Sequence, residues 1–197
     1  AVVMALSLVC NVNALSAASP SFADRVIEHR LANGLTVLMV ERHQTPVVSI
    51  NITFAVGGIN EQVGQTGIAH LYEHMAFKGT DKRSARQIAA DIENVGGEIN
   101  AATSVETTSY YARVLKDDVP LAVDILSDIL TDSKFDAKEL EREQHVVLQE
   151  IGAAHDTPDD IVFDRFTETA YQDQTIGRAI LGTPDSVERI SSGELHS

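Results

Sequence analysis

Two hydrophobic periods alternate along this chain, and the changes between them mark its elements. The runs VIEHRL and LTVLMVE flank Ala32-Asn33-Gly34, a turn signal that predicts a β-hairpin. Gln44-Thr45-Pro46 breaks the pattern. VVSINITFAV, residues 47–56, then alternates as a half-buried strand and ends at Gly57-Gly58. Residues 66–78 switch to helical spacing. Ser84 and Gln87 form a capping box for a helix that should bury Ala85, Ile88, Ala89 and Ile92 and stop at Gly96-Gly97. EINAATS (98–104) and TTSYYARVL (107–115) read as an antiparallel pair. Asp117 and Asp118 can cap a helix with Pro120 in its first turn, turning Val119, Ala122, Val123, Leu126 and Leu130 inward. Further helices are predicted from about Asp136 to Ala154 and from Pro158 to near Tyr171. GRAILGTPDSV reads as loop, and Ser191 with Glu194 makes another capping box. Strand pairs interleaved with helices predict an α+β fold, an antiparallel sheet with helices packed on one face.

The helix over 66–78 has two chemically different arcs. Ile68, Leu71, Tyr72, Met75 and Ala76 make the core side, while His70, Glu73, His74 and Phe77 fall opposite. His70 and His74 are one turn apart, so their rings can converge on one point, as zinc ligands do. Glu73 lies beside them, placed to take a proton from a metal-bound water.

A catalytic zinc needs a third protein ligand. In LEREQHVVLQEIGAAH (140–155) the apolar stripe is Leu140, Val147, Ile151 and Ala154, with Val146 on its flank. Glu143 and Glu150 lie in that same stripe, where a carboxylate needs a compensating charge. A divalent cation would supply it. A buried arginine, Arg113 or Arg178, is the alternative. His145 falls on the exposed side.

Composition narrows the partners. The chain has 197 residues and a net charge of -14, from 29 acidic and 15 basic side chains. That balance excludes a nucleic-acid-binding surface, which requires a basic face. A single cysteine, Cys10, excludes an intrachain disulfide framework and a Cys-based zinc site. Residues 1–23 carry no charge and end Ser21-Phe22-Ala23, small residues three before and one before a junction. They are expected to be a leader cleaved before Asp24, leaving 24–197 as the domain. The leader points to a periplasmic or secreted protein, with a cytoplasmic one as the alternative. Its apolar part is too short for stable membrane insertion.

The order H-x-x-E-H is the inverted zincin motif. Together with NGLTVLMVE, GIAHLYEHMAFKGT, GGEINAATSVETTSYYARVL, EREQHVVLQEI and GRAILGTPDSV, in that order, it resembles the pitrilysin/insulinase metallopeptidase family. The resemblance is to bacterial relatives of the mitochondrial processing peptidase β subunit. It implies zinc held by His70, His74 and Glu150, with Glu73 as the catalytic base and Glu143 as a supporting acid of the catalytic centre. It implies that the edge strand carrying Asn100 and Ala101 binds an extended peptide substrate by strand addition. It also implies that the chain is the first domain of a clamshell. The second half would lie in a longer polypeptide or in a homologous partner subunit. The helix that opens at Ser191 and is cut short at Ser197 agrees with such a piece. The expected function is zinc-dependent endopeptidase action, weak in the isolated piece. A non-catalytic peptide-binding or partner subunit of a processing-peptidase-like complex is the alternative.

Overall fold

The computed structural model describes residues 21–196, in two compact units that divide after Thr45. The expected leader therefore lies, save for residues 21–23, outside the described residues.

The first unit is the hairpin. β1 (Val26–Arg30) pairs antiparallel with β2 (Thr36–Val40), placing Val26 opposite Val40 and Arg30 opposite Thr36. Asn33 Oδ1 accepts the Leu35 amide, and Gly34 takes φ +92°. A side chain at Gly34 would strain that left-handed backbone.

The second unit holds a three-stranded antiparallel sheet in the order β3-β5-β4. β3 (Val47–Phe54) and β4 (Glu98–Thr103) flank the central β5 (Thr108–Leu115). Thr108, Tyr110, Ala112 and Val114 of β5 are buried and alternate with less buried positions, because successive side chains of a strand point to opposite faces. α1 (Ile68–Ala76), α2 (Ala85–Glu93) and α3 (Val119–Thr131) pack against this sheet. Ser84 and Gln87 do form the capping box that starts α2. One core cluster lies under the sheet, around Ile88, Ile92, Tyr110, Ile125, Leu126 and Ile129.

α4 (Ala137–His155) starts where the Asp136 side chain accepts the Lys138 and Glu139 amides. α5 (Pro158–Ala170), α6 (Pro184–Arg189) and α7 (Ser192–Leu195) follow. A second core cluster joins Leu71 and Met75 of α1 to Leu140, Val147 and Ile151 of α4 and to Val187 of α6. Helix α1 thus contributes to both clusters, Ala76 to the first and Leu71 and Met75 to the second. Among the described residues no helix is long and apolar enough to cross a membrane.

Three expectations are corrected. Ala89 is exposed, because α2 buries only one narrow stripe, Ile88 and Ile92. Val123 is half exposed, because the buried stripe of α3 runs through Ala122, Ile125, Leu126 and Ile129 at spacings of three and four. GRAILGTPDSV is not all loop: Thr183 caps α6 by accepting the Ser186 amide, and Pro184 occupies the first turn.

Two glycines fix the approach to α1. Gly67 precedes the helix at φ +92°, and a Cβ there would stand 2.7 Å from the Leu181 carbonyl oxygen. Gly182, at φ +80°, faces it, and a Cβ there would stand 2.4 Å from the Thr66 carbonyl oxygen. The two backbones touch because neither carries a side chain.

Candidate metal centre

With Leu71, Met75 and Ala76 turned into the core, α1 presents His70, Glu73 and His74 on its other side. α4 packs on α1 and delivers Glu150 to the same point. His70 Nε2 and His74 Nε2 each lie 3.7 Å from Glu150 Oε2. The two rings meet edge to face with centroids 4.6 Å apart. One donor atom from each of the three residues falls within 4.8 Å of the others. Ligand atoms about 2.1 Å from a tetrahedral zinc are about 3.4 Å from one another, so the two 3.7 Å separations need to close only slightly on an ion. Two imidazole nitrogens and one carboxylate oxygen fit zinc and leave a fourth position open.

The environment of His70 suits this use. Burial, and next the neighbouring His74, hold the His70 imidazole below its ordinary pKa, against the pull of Glu150. A neutral ring keeps a lone pair for a metal. His70 Nδ1 is buried and has no hydrogen-bond partner among the described residues.

His74 is held differently. Its Nδ1 lies 3.1 Å from Glu143 Oε2. Glu143 is buried, as its place in the apolar stripe of α4 predicts. Its other oxygen, Oε1, lies 2.8 Å from Lys78 Nζ. The arginine alternative fails for both candidates. Arg113 donates to Glu98 at 2.7 Å across the β4–β5 pair, and Arg178 donates to the Glu61 carbonyl at 3.1 Å. His145 is exposed, as expected.

Glu73 accepts a hydrogen bond from the Thr103 hydroxyl on β4. With His70, Ala102 and Thr103 it lines a cleft of about 530 Å³. Asp160, Phe163 and Asp164 of α5 line the same cleft, as do Ile180 and Leu181.

Asn100 and Ala101 lie on β4, an edge strand of the sheet, opposite Tyr111 and Tyr110 of β5. The Ala101 side chain is buried in the core cluster under the sheet, so only its backbone is available to a pairing strand. Its amide donates to Asn100 Oδ1 at 2.9 Å. A strand adding at this edge has to displace that side chain to reach the amide.

Sequence reasoning missed Lys78, Glu61 and the two aspartates of α5. Glu61 is buried, and its carboxylate accepts the Gly67 and Ala69 amides at 3.0 Å each, filling the amino-terminal end of α1. Burial pushes its pKa up, opposed by those two amides and by Arg178. Glu61 stands too far before the helix to read as a cap. Asp160 and Asp164 share one face of α5 at a spacing of four, a usable signal only once α5 is known to border the cleft.

Comparison with known proteins identifies the family. A sequence profile of the insulinase family, peptidase family M16, matches residues 36–184. The chain is 44% identical over 159 residues to an uncharacterized zinc protease of Rickettsia bellii, covering 81% of this chain and 39% of that protein. It is 43% identical over 166 residues to the mitochondrial-processing peptidase subunit beta of Saccharomyces cerevisiae, covering 84% of this chain and 35% of that protein. A protease of Helicobacter pylori superposes with a TM-score of 0.82 at 25% identity, over 87% of this chain and 42% of that one. The chain therefore spans about two fifths of the length of its curated relatives. Its sequence and its fold place it in the insulinase family, the M16 peptidases, whose relatives here include zinc proteases.

Proposed function

We propose that this chain is the metal-bearing part of a zinc-dependent endopeptidase acting on extended peptides. The convergence of His70, His74 and Glu150 on one point supports the reading most strongly. These three would hold zinc. When bound, zinc would polarise the scissile carbonyl and make a water acidic enough to attack it.

The chain's own residues do the rest. Glu73, held by the Thr103 hydroxyl at the cleft wall, takes the proton of the attacking water and returns it to the leaving amide nitrogen. β4 aligns the peptide backbone, and the cleft beside it receives side chains. Asp160 and Asp164 outnumber Arg178, the cation that lines the same cleft, and favour basic side chains on the substrate. A second half, in a longer polypeptide or a partner subunit, closes over the substrate.

The test is zinc content together with cleavage of a mixed peptide library, with and without chelator, for the chain alone and with the remaining half supplied. One bound zinc and chelator-sensitive cleavage, strengthened by that half, are expected. Glu73→Gln should retain zinc and lower turnover by about 10²- to 10⁴-fold. Cleavage that survives chelation, or that Glu73→Gln leaves intact, would refute the reading.

A further inference from the structure

Lys78 lies just beyond α1, and its backbone is fixed on both sides. Its amide donates to the Met75 carbonyl at 3.1 Å, and the next residue, Gly79, accepts the Lys134 amide at 3.0 Å. Thr80 is anchored through its hydroxyl to the buried Asp128 at 2.8 Å. From this fixed point the Lys78 ammonium reaches back to Glu143 Oε1 at 2.8 Å. The Glu143 side chain is only 8% exposed, and its second oxygen faces His74 Nδ1.

We propose that Lys78 is a positioning residue of the metal centre. Its ammonium fixes the Glu143 carboxylate so that Oε2 accepts a hydrogen bond from Nδ1–H of His74, which aims Nε2 of that ring at the point shared with His70 and Glu150. The inference rests on the zinc reading above. Two features give Lys78 this leverage. First, His70 has no partner for its Nδ1 among the described residues, so the hydrogen-bonded orientation of the ring pair depends there on His74. Second, Glu143 has Lys78 as its one cationic partner at ion-pair distance among the described residues, apart from His74 itself. Without the ammonium, a nearly buried carboxylate is left with a single partner, the His74 ring, and loses what fixes its rotation. A partner that orients a ligating histidine governs both ring direction and ligand basicity.

A merely stabilising ion pair between the end of α1 and α4 would change melting temperature and leave zinc affinity alone. The experiment is competition for zinc between a chromophoric chelator and wild type, Lys78→Met, Lys78→Arg, Glu143→Ala and the Lys78→Met/Glu143→Ala double variant. The melting temperature of each is measured zinc-free. Lys78→Met should weaken zinc binding about 10- to 100-fold, and Lys78→Arg should recover most of that loss. In the Glu143→Ala background Lys78→Met should add nothing further. Wild-type affinity in Lys78→Met would overturn the inference and leave the zinc reading standing, as would an equal loss from Lys78→Met with and without Glu143. Failure of the wild-type chain itself to take up zinc would overturn both.

Discussion

Two clusters of charge, each around one buried carboxylate, flank α1, and they are built on opposite principles. Beyond its carboxyl-terminal end, Asp128 is fully buried and accepts the Thr80 hydroxyl and Arg83 Nη1, both at 2.8 Å. Arg83 also reaches Asp91 at 3.3 Å and pairs with Asp124, and Lys82 lies 3.7 Å from Asp128. Every acid there has a cation. On the outer arc of α1, Glu150 faces two imidazoles, and the ammonium of Lys78 is spent on Glu143. The first cluster is closed on itself and ties the loop after α1 to α2 and α3. The second collects lone pairs of His70, His74 and Glu150 that no Lys or Arg among the described residues pairs with, which is the electrostatic form of a metal site.

The comparison can be broken from either side. The largest effect is expected at the open cluster: His74→Ala should leave no zinc bound after dialysis, measured by metal analysis, while the fold survives by circular dichroism. The next is at the closed one. Asp128→Ala should destabilise the chain by about 1–3 kcal/mol in denaturant titration, because it removes the buried acceptor of the Thr80 hydroxyl and of Arg83, which keeps Asp91 and Asp124. Bound zinc per folded molecule should not change.

Acid should act through the same aspartate. Burial alone would raise the Asp128 pKa, but the hydrogen bonds from Thr80 and Arg83, with the charges of Lys82 and Arg83, hold it below the usual carboxylate range. Its contribution is therefore complete above the unfolded value of about 3.9 and is lost as pH falls through the lower folded value. The stability gap between wild type and Asp128→Asn should narrow in that window. A smaller effect is expected for Asp164→Asn, which should raise KM for arginine-containing peptides by about fivefold and spare neutral ones. Val123→Ser, on the exposed side of α3, should change stability by less than about 0.5 kcal/mol, and a larger loss would mean that the stripe of α3 is misplaced.

The open cluster was the more legible of the two in the sequence. His70, Glu73 and His74 share one turn of helix, so a single period places them together. Glu143 and Glu150 stood out because acids in an apolar stripe demand an explanation. Asp128 sits just as firmly inside the stripe of α3 and was passed over, since ILSDIL reads as apolar residues around a surface acid. Its partners come from a loop more than forty residues earlier, and no local pattern carries that pairing. Lys78 was invisible for a related reason. The sequence gives the length of its side chain and not the direction, which follows from how the loop is anchored at Gly79 and Thr80. The hairpin, the β4–β5 pair and the capping box of α2 depend on neighbours in sequence and were read directly. The starting point of α6 was missed because Ser186 stands where a glutamate or glutamine would have announced the capping box.

The contact between Gly67 and Gly182 has a consequence for any attempt to redesign this centre. Each glycine occupies the room that the other's Cβ would need, and both hold backbone angles that other residues resist. Enlarging either one pushes main chain against main chain, and no rotamer change can absorb that. The helix bearing the imidazoles therefore cannot be nudged by graded substitutions where it begins. Its aim can be adjusted from the far end, or lost.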